Sequence, residues 1–155
     1  YELSGTENTS GKGVAVTGVE LTPENSGSIY HTLSLDADQC NIVVLHGQES
    51  EYSARDKAEI IHLTALKNKG IDYLALGHIH SYKKERLDAR GVYCYPGCLE
   101  GRGFDECGEH GFVMLDIDEL TGTIDSLLFL SHPGSSIPFR WILPVVNPRR
   151  KSWNG

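Results

Sequence analysis

Apolar residues in this chain fall into short runs set between glycine-rich polar connections, and the spacing of those runs predicts the elements. Val14 to Glu20 reads as a strand, and Thr22 to Ser28, with its Pro, Asn, Ser and Gly, as a surface loop. Ile42-Val43-Val44-Leu45 is a continuous apolar run rich in β-branched residues, the pattern of a central strand covered on both faces. Tyr73-Leu74-Ala75-Leu76 repeats that signature and places a second buried strand over Asp72 to Leu76. Between the two, Arg55 to Lys69 fits a helix. Ser53 followed by Asp56 makes a capping-box-like start, Gly70 a natural stop, and Ala58, Ile61, Ala65 and Leu66 share one face. Residues 42 to 76 then form a strand–helix–strand unit, most simply parallel and right-handed.

After His80 the pattern becomes antiparallel. Lys84 to Asp88 and Val92 to Tyr95, joined at Ala89-Arg90-Gly91, predict one hairpin, and Gly111 to Asp118 and Ile124 to Leu130, joined near Thr121-Gly122, predict a second. The expected class is therefore α/β (α+β), a parallel unit feeding into antiparallel hairpins. Residues 1–13 are polar and glycine-rich and read as a flexible arm, residues 14–130 as the folded part, and residues 131–155 as an irregular tail. Four of the six prolines fall in that tail, and its Arg149-Arg150-Lys151 triplet reads as solvated.

Composition narrows the function. With 155 residues the chain is long enough for one domain with a real core, and its 17 glycines suit a strand-and-turn protein. Lys and Arg number 14 against 21 Asp and Glu, a net charge of −7, which excludes nucleic-acid affinity through bulk charge. A phosphate-bearing substrate would need bound cations to supply the local positive field. Four cysteines, Cys40, Cys94, Cys98 and Cys107, are too few and too irregular for a disulfide framework. No run reaches membrane-spanning length and no charged-then-apolar leader opens the chain, so a cytoplasmic, non-membrane protein is expected. Tyr1 in place of Met reads as a fragment or a processed product.

Both buried runs end in histidine and glycine: Leu45-His46-Gly47 and Leu76-Gly77-His78-Ile79-His80. The carboxyl edge of an open α/β sheet is where ligands usually bind, and neutral imidazole is a ligand for Zn, Mn and Fe. In extended chain His78 and His80 would project to one side about 6.5–7 Å apart, which lets one serve each member of a metal pair about 3.5–4 Å apart. His46 arrives from the neighbouring strand. Any one of these alone reads as an ordinary polar strand end, but three together argue for metal. Gly47 and Gly77 would allow sharp turns and close approach to a ligand.

Other candidates carry less. His62 falls near the apolar helix face as a packed or half-exposed residue, and His31, His110 and His132 fall in loops. The spacings of Cys98, Cys107 and His110 match no zinc knuckle or ribbon, so these cysteines read as buried or surface thiols. Arg102, in the glycine-dense loop after Tyr95-Pro96-Gly97-Cys98, serves equally as a bidentate phosphate clamp or as an exposed turn arginine. Lys83, Lys84 and Arg86 read as a solvated strand face.

With Leu45-His46-Gly47, Gly77-His78-Ile79-His80, Tyr95-Pro96-Gly97 and the stretch Phe104-Asp105-Glu106-Cys107-Gly108-Glu109-His110-Gly111-Phe112 in this order, the chain resembles the later half of a calcineurin-like metallophosphoesterase. It is similar in particular to the SbcD-type exonuclease subunits of bacterial double-strand-break repair, and Gly18 to Tyr30 also fits that group. The resemblance covers roughly residues 14 to 130. It implies half of a four-layer αββα sandwich and a centre of two divalent metals, Mn²⁺ foremost with Fe or Zn as alternatives. It implies His46 and His78 as ligands to one metal, His80 as a ligand to the other, and hydrolysis of a phosphate ester, DNA among the possible substrates. Three upstream family motifs, an Asp-x-His, a Gly-Asp-x-x-Asp and a Gly-Asn-His-Asp/Glu, do not occur in this chain. A missing N-terminal half or a second chain would have to supply those ligands; Glu49 or Glu51 is a substitute for which the spacing gives no argument. Two alternatives stand beside a phosphodiesterase. One is a phosphomonoesterase or cyclic-nucleotide phosphodiesterase of the same superfamily, and the other a catalytically silent fragment that self-associates as an assembly or binding module.

Overall fold

Three neighbouring apolar strands and their partners organise the computed structural model, which describes residues 2–3, 12–49, 60–101, 110–131 and 139–141. The main sheet takes its parallel core from β2 (Val14–Val19), β3 (Cys40–His46), β6 (Tyr73–Gly77) and β8 (Val92–Tyr95). Antiparallel edge strands close it, β1 (Glu2–Leu3) on β2 and β7 (Lys83–Arg86) on β8, giving the order β1-β2-β3-β6-β8-β7. The expected parallel pairing of the two apolar runs is present, with Ile42 opposite Tyr73 and His46 opposite Gly77. A second sheet holds the long hairpin of β9 (His110–Asp118) and β10 (Thr123–Ser131), with β11 (Phe139–Trp141) on the outer side of β10. The hairpin turns where expected, at Gly122, whose φ of 71° is left-handed backbone that glycine adopts without strain.

Strand alternation sorts the core into two clusters. Val43, Leu45, Leu74, Leu76, Tyr93 and Tyr95 point to one face. There they pack with Ile29 and Tyr30 of the one-turn helix α1 (Ile29–Thr32) and with Leu66 of the one-turn helix α2 (Leu63–Leu66). Ile42, Tyr73 and Cys94 point to the other face, against Val113, Leu115, Ile117 and Ile124 of the hairpin. Among the described residues the fold is mixed α/β with few helical residues and mainly strands, helical packing on one face of the main sheet and the second sheet on the other.

The connection between β3 and β6 differs from the helix expected over Arg55 to Lys69. Among its described residues, Ile60–Ile61 forms β5, paired in parallel with β4 (Gln48–Glu49), and only Leu63–Leu66 is helical. Two adjacent β-branched isoleucines favour the extended backbone, and the left-handed residues Asn68 (φ 60°) and Gly70 (φ 84°) turn the chain into the sheet. The apolar assignments survive the change of backbone: Ile61 and Leu66 are fully buried and Ala65 packs against them. The proposed cap at Ser53 and Asp56, and Ala58, lie outside the described residues. The stretches expected to be an arm and an irregular tail each contribute a short strand, β1 and β11, because β2 and β10 would otherwise leave edge hydrogen bonds unmade.

At the amino end of the main sheet, Arg90 grips both carboxylate oxygens of Asp72 (2.8 and 2.7 Å) and donates to the carbonyls of Ala37 and Gln39. No helix among the described residues is long and apolar enough to cross a membrane.

Candidate functional site

His46 is the last residue of β3 and stands directly opposite Gly77, the last residue of β6. The missing side chain at Gly77 lets the imidazole lie over that backbone: a Cβ added there would sit 2.8 Å from His46 Nδ1 and 3.5 Å from Cε1. Gly47 fixes the exit of β3, donating its N–H to the Gly77 carbonyl (3.1 Å) and accepting the buried Tyr95 hydroxyl (3.1 Å). Beyond Gly77 the chain leaves the sheet through His78, a non-glycine residue with φ 103°. Such a backbone costs about 1–3 kcal/mol, and residues held in it cluster at functional sites.

The result is an open depression of about 450 Å³ lined by His46, Gln48, His78, Ile79 and His80. The His46 and His78 rings meet edge-on, with centroids 5.4 Å apart and planes at 82°. His80 is held by its main chain, whose carbonyl accepts the Cys98 N–H at 3.1 Å. Gly97 (φ 82°) permits this contact, since a Cβ there would come within 2.9 Å of the same carbonyl. The extended geometry expected for His78 and His80 does not apply, because β6 ends at Gly77 and left-handed backbone follows it at once.

Three histidines line this depression, and neutral imidazole nitrogen is a ligand type for transition-metal ions. Among the described residues, however, no three His, Cys, Asp or Glu side chains are grouped to hold one ion by themselves.

Glu49 does not fill the gap. Its carboxylate is buried, takes a 2.5 Å hydrogen bond from the Lys83 ammonium and lies 3.4 Å from the Tyr93 hydroxyl, while its neighbour Gln48 faces the depression. The Glu49 hydrogen bond holds the Lys83 pKa above its ordinary value. Burial, reinforced by a hydrogen bond to Glu85, pushes the Tyr93 hydroxyl up as well. This ion pair ties the segment after His46 to the segment after His80. The sequence carries no spacing signal for this pair, which forms where β4 and β7 come together.

Arg102 and Cys107 lie outside the described residues, as do Glu51 and His132. His31 and His62 are exposed, with His62 set edge-on against the Tyr30 ring at 5.8 Å. Cys98 and His110, spaced without a zinc signature, are in fact adjacent, with Sγ and Nδ1 3.2 Å apart. No protein-family model matches this chain, and no curated protein matches it.

Proposed function

We propose that this chain is the metal-binding half of a phosphoesterase, acting on phosphodiesters of the kind found in nucleic acid. It would hold His46 and His78 toward one divalent cation and His80 toward a second. The observation that carries this reading is the edge-on meeting of the His46 and His78 rings at the carboxyl ends of two adjacent parallel strands, with His80 on the same depression. The fold reading that goes with it is half of a four-layer αββα sandwich, supported by helical packing on one face of the main sheet and a second sheet on the other.

In this reading the protein's work is positional. Gly77 clears room for the His46 ring, the strained turn at His78 brings the second ring to meet it, and Gly97 with Cys98 holds the His80 main chain. His46, His78 and His80 would hold divalent cations, Mn²⁺ foremost, which when bound would supply the positive charge an acidic chain lacks and Lewis-acid activation of a phosphoryl oxygen and a water. The remaining ligands come from an N-terminal half or a second chain, and Arg102 is the candidate phosphate clamp.

The test is Mn²⁺-dependent hydrolysis of an aryl phosphodiester by the complete protein, compared with its His78→Ala variant. Loss of turnover on alanine substitution supports the assignment, and unchanged turnover refutes it. Monoester-only hydrolysis would replace the nuclease reading with a phosphatase. The reading as an assembly module draws on Phe112 and Met114, exposed on the outer side of the hairpin. Light scattering that shows self-association, with no metal by elemental analysis, would favour it.

A further inference from the structure

We infer that Gln48 orients the substrate in the imidazole depression, its side-chain amide donating to a non-bridging phosphoryl oxygen of a phosphodiester, a role that rests on the phosphoesterase reading of that site. Of the five residues lining the depression, three are histidines and one is Ile79, so Gln48 supplies the remaining polar side chain. It is half-buried, and among the described residues nothing bonds its amide. The amide nitrogen carries two donors, and a hydrogen bond that ends on an anionic oxygen is about twice as strong as a neutral one.

The residues on either side aim this amide. Gln48 and Glu49 form β4, paired in parallel with Ile60 and Ile61. Successive side chains of an extended strand point to opposite sides. Glu49 turns inward to the Lys83 ammonium (2.5 Å) and the Tyr93 hydroxyl (3.4 Å), and Gln48 accordingly faces the depression. Before it in the chain, the Gly47 carbonyl accepts the buried Tyr95 hydroxyl (3.1 Å), and the Gly47 N–H donates to the Gly77 carbonyl (3.1 Å). Both neighbours of Gln48 are thereby pinned before any substrate arrives, and little ordering entropy opposes its bond to one. With the imidazoles committed to cations, the amide is the lining group left to donate, and it carries no charge of its own.

The probe is dimethyl phosphate, added to the Mn²⁺-loaded complete protein and followed by the broadening of its phosphorus resonance. We expect saturable binding whose midpoint rises about tenfold in Gln48→Met, which keeps the side-chain length and removes both donors. Gln48→Glu, which turns a carboxylate toward the anion, should weaken it further. The KM for an aryl phosphodiester rises in step, while the Mn²⁺ midpoint stays at the parent's value. A weakened Mn²⁺ midpoint in Gln48→Met would make the amide oxygen a metal ligand and overturn the proposal. Unchanged diester binding in that variant, or no saturable binding by the parent, also overturns it, each variant being checked for folding by its thermal melt. Turnover by the parent with diester binding indifferent to Gln48 sinks this role and leaves the phosphoesterase reading standing; Gln48-dependent binding without turnover does the reverse.

Discussion

Gly77→Ala isolates the positioning of His46 from the stability of the sheet. The added methyl would sit 2.8 Å from His46 Nδ1, against an ordinary contact of about 3.5 Å, so the ring must yield by about 0.7 Å. It can do so, because His46 is exposed and the nearest atom is the end of a side chain, at a cost of about 0.5–1.5 kcal/mol for leaving its rotamer. Metal–ligand distances tolerate about 0.2 Å, so the same displacement weakens Mn²⁺ binding by about 10- to 100-fold, or about 1.4–2.8 kcal/mol. Gly91→Ala is the control. Its Cβ would come within 2.1 Å of the carbonyl oxygen of Ile71, a fully buried residue, and backbone there has nowhere to go, so about 3 kcal/mol of stability is lost. Thermal melts without metal, paired with Mn²⁺ calorimetry, read both effects. Gly77→Ala should melt within a few degrees of the parent and bind poorly, while Gly91→Ala should melt far lower. Parent-like Mn²⁺ affinity in Gly77→Ala, or a melt as low as that of Gly91→Ala, would refute the reasoning.

Three further outcomes are expected. His78→Gly relieves the left-handed backbone and raises stability by about 1 kcal/mol while abolishing Mn²⁺ binding, checked by denaturant midpoint and calorimetry. Lys83→Ala leaves the buried Glu49 carboxylate unpaired and costs about 2–3 kcal/mol, partial exposure of the Lys83 side chain keeping it below a fully buried pair; the Lys83→Met, Glu49→Gln double variant recovers part of that loss in urea unfolding. At Asp88, desolvation raises the carboxyl pKa, but hydrogen bonds from the Gly91, Asn68 and Arg90 N–H groups outweigh it and hold the pKa below the ordinary 3.8. Its contribution is therefore present above that value and lost as pH falls through the lowered folded value. Asp88→Asn should cost about 1 kcal/mol at pH 7 and almost nothing at the acid end of a pH series of melts.

The strands were legible from their apolar runs, although Val44, expected to be covered, is exposed. Ile42 to Leu45 and Tyr73 to Leu76 carry enough β-branched and apolar side chains to specify adjacent parallel strands, and their terminal histidines follow from that register. The two hairpins were legible from their turns. The crossover was not, because Ala58, Ile61, Ala65 and Leu66 have helical spacing that a short strand followed by a single turn buries equally well at its described positions. Short edge strands such as β1 and β11 carry no pattern of their own and arise from the partner already in place. The left-handed turn at His78 was illegible, since nothing in Gly-His-Ile-His distinguishes an extended path from a strained one. The Cys98–His110 contact depends on β9 returning beside the Pro96-Gly97-Cys98 turn, a tertiary event that sequence spacing cannot express.

Proton spectra of the imidazole side chains during titration with Mn²⁺ put the gathering of His46, His78 and His80 at risk. Paramagnetic broadening should remove those three resonances together at low Mn²⁺ while the exposed His31 and His62 stay sharp. Broadening that touches all histidines alike, or spares the three, would contradict the assignment of this sheet edge as a metal centre.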